Sequence, residues 1–349
     1  PELYAGRRVT IRNVLDAMGS DTHPDPELDA AAQAASRWGD PILLVGPQDL
    51  LQTRLRAAGV GPERVRIIDA PEVLEMTDKP ADSARGKARS SMAVGMELVK
   101  SGEADAFVTA GNTGGAMANA LFRIGRIRGV KRPALAGVFP VRNGQAVLLD
   151  IGANADVRPE FLVQFAVFGA LYAEIVFGWP SPRVAILSNG EEAGKGNMLV
   201  KEAYPLLEQS GLNFVGNVEP KEFYAGKADV AVTDGFTGNV LLKTSEAVAS
   251  FLVSIIRDQI KASPVTAVGG LLAKPAFKRV GSLMDPGEYG AAPLLGIDGL
   301  VFVGHGRSDA RALVSAIRVA RQAVSGGLLP AMRREVQKRL SAGEGEDSA

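Results

Sequence analysis

The sequence has no cysteine and only two histidines. The first absence excludes disulfides, thiolate metal sites and an acyl-cysteine intermediate. The second leaves no histidine-rich or HExxH pattern for zinc, since His23 and His305 lie far apart in the chain. Net charge is also missing: 39 Lys and Arg balance 39 Asp and Glu, so composition gives no reason to expect nucleic acid as a partner. The opening residues lack a charged-then-apolar leader, which makes the cytoplasm the expected compartment. No apolar run reads as a bilayer span; the best candidate, residues 161–173, is interrupted by Gln164 and closed by Glu174, and reads as a buried helix.

What is present is a soluble-protein composition: 349 residues, 46% hydrophobic and 22% charged, enough for a large core. Short apolar runs at 9–15, 42–45, 65–68, 106–109, 134–139, 146–149, 184–187, 230–233 and 300–303 read as strands. Helix-like stretches fall between most of them, including 91–100, 159–177, 240–260 and 309–324. This alternation predicts an α/β fold with a mainly parallel sheet. Asn143-Gly144 between two apolar runs predicts one antiparallel hairpin. Residues 1–340 are expected as a single compact catalytic domain with a cleft between lobes, and residues 341–349 as a disordered tail.

Four Gly/Asn-rich turns follow strand-like runs: Gly111-Asn112-Thr113-Gly114-Gly115, Gly152-Ala153-Asn154, Gly194-Lys195-Gly196-Asn197 and Asp234-Gly235-Phe236-Thr237-Gly238-Asn239. Glycine lets backbone approach a ligand closely, and a helix start offers unpaired N–H groups to an anion. One such turn is ordinary capping chemistry. Four, at the same ends of parallel strands, are expected to open onto one crevice that holds a phosphate-like group. Neither common nucleotide signature is met: Gly190 to Gly194-Lys195 has three residues between, not four, and Gly196 follows; the dinucleotide glycine pattern fails at Leu199. Gly306-Arg307-Ser308-Asp309-Ala310 approaches a serine nucleophile elbow but ends on alanine. Ser308 is expected to cap the following helix with Asp309 in its first turn, and that helix start, beside His305, is kept as an anion contact.

Residues 251–284 predict a protruding helical elbow, with Arg257, Lys261, Lys274, Lys278 and Arg279 set against Asp258 alone among exposed apolar residues. A subunit interface, a carrier-protein contact and a peripheral contact with anionic membrane are all open readings. Arg85, Lys87 and Arg89, with Lys79 upstream, form a second basic stretch, read either as a solvated helix face or as a contact for an acidic partner.

Motifs in one order carry a resemblance. Leu15-Asp16-Ala17-Met18-Gly19-Ser20-Asp21, Lys79-Pro80 with Arg85 and Lys87, Ser90-Ser91-Met92, Ala110-Gly111-Asn112-Thr113-Gly114 and Arg132-Pro133-Ala134-Leu135 come first. Asp150-Ile151-Gly152-Ala153-Asn154, Gly190-Glu191-Glu192, Gly194-Lys195-Gly196-Asn197, Asp234-Gly235-Phe236 with Gly238-Asn239, and Glu288-Tyr289-Gly290 follow. Together they resemble the PlsX family of phosphate acyltransferases over about residues 9–324. Departures are Ser20 for the family's usual glycine, Ser188-Asn189-Gly190 for Asn-Ile-Gly, and alanine after Tyr289-Gly290.

The resemblance implies a three-layer α/β/α fold similar to phosphotransacetylases and the isocitrate/isopropylmalate dehydrogenases, usually as a homodimer. It implies conversion of long-chain acyl-[acyl carrier protein] and inorganic phosphate to acyl phosphate and free carrier protein. That step feeds phospholipid synthesis and a downstream glycerol-3-phosphate acyltransferase. Lys195 and Asn239 match the family's active-site motif residues. Gly111, Asn112, Thr113, Gly114, Asn154, Asn197, Asp234 and His305 are expected as phosphate or substrate contacts, and no cofactor or metal is expected. Two other readings stay open: a phosphotransacetylase-like enzyme using acyl-CoA, and a non-catalytic membrane-associated scaffold.

Overall fold

The alternation of apolar runs and amphipathic stretches gives a computed structural model that describes residues 10–142, 144–284 and 286–346. Its strands are β1 Asn13–Asp16, β2 Ile42–Gly46, β3 Val65–Asp69, β4 Ala106–Thr109, β5 Ala134–Val141, β6 Gly144–Leu149, β7 Val184–Leu187, β8 Phe214–Val218, β9 Val230–Val232, β10 Ala292–Leu295 and β11 Val301–Val303. They join in one sheet ordered β3-β2-β1-β4-β11-β10-β5-β6-β9-β7-β8. The first five in that order are mutually parallel, as are the last four. The links β11-β10, β10-β5 and β5-β6 are antiparallel. The two parallel blocks therefore run in opposite directions, and the glycine turns, expected at one end of the sheet, leave the C-terminal ends of the strands in two groups that point in opposite directions.

The register keeps these groups close. Thr109 lies opposite Val303 and Val303 opposite Ala292; two residues along β10, Leu294 lies opposite Leu135, whose neighbour Ala136 faces Leu149. Both blocks thus end at nearly the same height in mid-sheet. The loop after β6 and the helix Thr113–Asn119 then fold over one face, where Thr113, Met117, Leu135, Ala153, Leu294 and Val303 line a single small void.

Apolar side chains cover both faces of the sheet in two clusters. The helix Pro159–Phe177 is apolar almost all round because it lies in one of them, with Phe165, Phe168 and Tyr172 fully buried. Proline at its first turn and Gly178 in the left-handed region at its end set its limits.

A helical pair leaves this body. Gly235–Lys261 and Pro264–Met284 pack on each other, and Phe251, Leu252, Val265, Leu271 and Leu272 are all more than half exposed. The first of these helices is long and apolar enough to cross a membrane, which corrects the reading that no run reaches that length; Pro159–Phe177 also passes, but is mostly buried in the fold. β8 and β10 were not anticipated. The cap before Ala310–Ser325 is Asp309, whose Oδ1 accepts the Ala312 N–H at 2.8 Å, rather than Ser308. The last helix, Leu328–Glu346, continues into the stretch expected as tail. Val9, Asn143 and residues 347–349, on which parts of the strand, hairpin and tail expectations fall, lie outside the described residues.

Candidate active site

The first group of turns follows β1, β4 and β11, which are neighbours in the sheet. Asp16, at the end of β1, is 1% exposed. Its carboxylate accepts the Met18 N–H at 3.0 Å and the Thr109 hydroxyl at 2.7 Å, and Thr109 Oγ1 in turn accepts the Gly111 N–H at 2.9 Å. Burial pushes the Asp16 carboxyl above its ordinary value, against the pull of the Ser91 and Thr109 hydroxyls. The Gly111 N–H is therefore already paired with Thr109. Asn112 is also committed: its Oδ1 accepts the Gly115 N–H at 2.9 Å and its Nδ2 donates to the Met76 carbonyl at 2.8 Å. The N–H groups of Thr113 and Gly114 remain as first-turn donors.

His305 follows β11 and is exposed. Its Nδ1 accepts the Arg307 N–H at 3.2 Å. Partial burial, with the positive charges of Arg307 and Lys243, lowers its pKa below the ordinary histidine value and keeps it neutral at pH 7. The charge of Lys243 comes from the long helix of the second group, so the two groups meet here as well.

The second group follows β6, β9 and β7, again neighbours. Asp150 is fully buried and accepts five N–H donors: Leu135, Gly152 and Ala153 on Oδ1 at 2.9–3.2 Å, and the Asn154 backbone and Nδ2 on Oδ2 at 2.7 and 2.8 Å. Burial pushes its carboxyl up while these donors pull it down. Asn154 Nδ2 also donates to the Pro133 carbonyl at 2.7 Å, and the Asn154 carbonyl accepts the Gly235 N–H at 2.7 Å. Glycine is required on the facing helix: a Cβ on Gly235 would lie 2.6 Å from the Asn154 carbonyl oxygen, and one on Gly238 would collide with the Asp150 carbonyl oxygen.

Asp234 and Asn197 are helix caps. The carboxylate of Asp234 accepts the Thr237 N–H at 2.7 Å and its hydroxyl at 2.8 Å, and Asn197 Oδ1 accepts the Val200 N–H at 3.0 Å. Asn239, one turn into the helix Gly235–Lys261, donates from Nδ2 to the Ile151 carbonyl at 3.0 Å and lies over Gly152. Asn239 is exposed, and its side chain makes no other hydrogen bond among the described residues. Lys195 is exposed, and its Nζ has no hydrogen bond or ion pair among the described residues. The strand order β6-β9-β7 thus carries Asn154, Asn239 and Lys195 on one rim, with Thr113 and His305 approaching from the other.

The basic residues divide. Lys87 is tied inward to Asp78 at 2.5 Å and to the Val73 carbonyl at 2.8 Å, and Arg85 stacks over Phe122 at 5.0 Å. Arg257, Lys261, Lys274, Lys278 and Arg279 are exposed on the helical pair. A separate cavity of about 400 Å³, lined by Val163, Phe168, Leu206, Val336 and Leu340, contains none of the turn residues. The residues missed from the sequence are Asp16 and Asp150, and the available signal was their shared place: each ends an apolar run and is followed by a glycine within three positions.

Three comparisons bear on these rims. The sequence model of a family described as "Fatty acid synthesis protein" matches residues 11–330. A phosphate acyltransferase of Pelotomaculum thermopropionicum is 46% identical over 327 residues, covering 94% of this chain and 95% of the relative. One from Desulfitobacterium hafniense is 43% identical over 335 residues, covering 96% and 100%. Among solved structures, a phosphotransacetylase from Streptococcus pyogenes superposes with a TM-score of 0.63 at 18% identity, over 90% of this chain and 94% of the other. EutD phosphotransacetylase from Staphylococcus aureus gives 0.57 at 17%, with the same coverage. These likenesses show a shared α/β fold.

Proposed function

The chain belongs to the fatty acid synthesis protein family, whose curated relatives are phosphate acyltransferases, and from that membership we propose that it transfers a long-chain acyl group from acyl carrier protein to inorganic phosphate. The product, an acyl phosphate, feeds phospholipid synthesis. The observation that carries the reading is the rim of β6, β9 and β7, where an unpaired lysine, a half-committed asparagine and two helix starts stand side by side.

Phosphate is partly dianionic near neutral pH and is its own nucleophile, so no cysteine or serine–histidine set is needed. One phosphate oxygen forms a bond to the thioester carbonyl carbon, the C–S bond breaks, and the carrier's thiol leaves as thiolate and takes a proton from solvent. Lys195 and the N–H groups of Thr113 and Gly114 hold the phosphate. The remaining amide N–H of Asn239 donates to the thioester oxygen as negative charge grows there. Asn112, Asn154, Asn197 and Asp234 act through the turns they shape rather than by touching substrate. His305, neutral, is a donor at Nε2 from the opposite rim.

The exposed helical pair, with five basic residues and a wide apolar surface, is proposed as the surface that meets anionic membrane or a second subunit in a homodimer. Acidic carrier protein docks beside it, since complementary charge steers association. Donor competition tests the reading. With long-chain acyl carrier protein and acyl-CoA offered together, the carrier-protein thioester is consumed first. Preference for acyl-CoA supports the phosphotransacetylase-like reading instead, and inertness to both supports a scaffold. Loss of the Asn239 donor by Asn239→Ala lowers turnover roughly a hundredfold, on the order of 3 kcal/mol.

A further inference from the structure

β8 pairs with β7 out of step. Val184 lies opposite Phe214, but Ile186 lies opposite Asn217, so one extra residue enters β8 between the two pairs. Gly216 takes a φ of 92° there, a conformation open to glycine and costly for other residues. Side chains alternate between faces along a strand, so the extra residue turns Asn217 onto the face it would otherwise have left. On that face Asn217 is buried, at 2% exposure.

There its Nδ2 donates to the Glu192 carbonyl at 2.7 Å, and the same oxygen accepts the Lys195 N–H at 2.9 Å. Two donors from different elements thus fix one carbonyl at the base of the Lys195 turn. The stem of Lys195 lies over Gly190, where an added Cβ would stand 2.7 Å from Lys195 Cγ. Asn217 Oδ1 and Ser188 Oγ are buried without a partner among the described residues. Orphaned polar atoms of this kind are rare in stable cores and call for a functional reason.

We infer that Asn217 is a positioning residue for Lys195: the bulge at Gly216 delivers its amide to the Glu192 carbonyl, and that contact sets the backbone from which the lysine reaches the phosphate. The inference rests on the proposed phosphate role of Lys195. Without the Asn217 donor the turn is held at that oxygen by the Lys195 amide alone, and the backbone that carries the lysine loosens.

Asn217→Leu, close in size, and Asn217→Asp, polar but unable to donate, separate the lost hydrogen bond from a lost volume. Amide hydrogen exchange over residues 190–197 speeds up at least about tenfold in both. Phosphate-dependent turnover falls by about tenfold, and the double variant with Lys195→Ala is no slower than Lys195→Ala alone. Unchanged exchange in folded variants overturns the inference whatever the activity does, and so do losses that add fully to that of Lys195→Ala. Unchanged turnover in Lys195→Ala, with faster exchange in the Asn217 variants, overturns instead the phosphate role on which the inference rests.

Discussion

Asp150 directly follows β6 with both carboxylate oxygens turned back onto the chain, and its five N–H partners come from β5 and from the turn that follows. Removing the carboxylate takes the acceptor from all of them, the buried Leu135 N–H included, and frees the turn that they hold. Asp150→Ala therefore lowers stability by about 3 kcal/mol or more, read as a shift of the urea midpoint at constant slope. Glu27 is a second buried carboxyl whose behaviour is measurable. It is 0% exposed, accepts the Ser20 N–H at 2.8 Å, and is pushed from 4.5 to about 7 by burial, with the nearby Asp16 charge adding to the rise. A carboxyl raised in the fold binds its proton more tightly there than in the unfolded chain. Its contribution is full below 4.5 and is lost as pH rises through about 7. Glu27→Gln keeps an acceptor for Ser20 without the titration, so its stability relative to the parent rises between pH 5 and pH 8 by at most a few kcal/mol, on the order expected from such a shift. Parallel pH profiles of the two proteins contradict this account of Glu27.

At the level of elements, the long helix Gly235–Lys261 has two distinct ends. Its start must press against the Asp150 turn, and Gly238 allows this because a Cβ would strike the Asp150 carbonyl. Gly238→Ala pushes the helix start away and moves Asn239 off the Ile151 carbonyl, so turnover falls by about a hundredfold or more while the distal helix stays intact by circular dichroism. Its far end carries the exposed helical pair. Leu271 and Leu272 are 69% and 79% exposed, so replacing both with Glu leaves the melting temperature nearly unchanged. Co-sedimentation with anionic vesicles falls in that variant, as the proposed membrane surface requires; undiminished sedimentation removes the pair from that surface. The elements themselves were unevenly legible. Pro159–Phe177 reads from the sequence to the residue because a proline and a glycine mark its ends. β8 was missed because the bulge at Gly216 breaks its alternation, and β10 because it is four residues long with a proline inside. The cap at Asp309 was placed one residue early because Ser308 is an equally competent capping type.

Across the whole molecule, the α/β class and the candidate turns were legible, but the relation between the turns was not. Local pattern carries no strand direction, so the reading put all four turns at one end of a parallel sheet. The antiparallel strands β10 and β5 reverse the second block, and the register then brings both blocks to a common height. The residues that build the rims, Asp16 and Asp150, were equally hard to see as a pair, because Asp16 finds its Thr109 partner 93 residues away and most partners of Asp150 are backbone N–H groups that a sequence does not display. The central claim is that these rims pass an acyl group from a carrier-protein thioester to phosphate without an enzyme-bound acyl intermediate. The most direct measurement incubates the purified protein with long-chain acyl carrier protein and phosphate, counts the carrier thiol released before hydroxylamine is added, and then traps acyl phosphate as its hydroxamate, subtracting an enzyme-free control for direct attack on the thioester. The account predicts hydroxamate and thiol in equal amounts, both dependent on phosphate and both depressed by Lys195→Ala. Thiol release without phosphate, or no hydroxamate from the carrier-protein thioester, contradicts it.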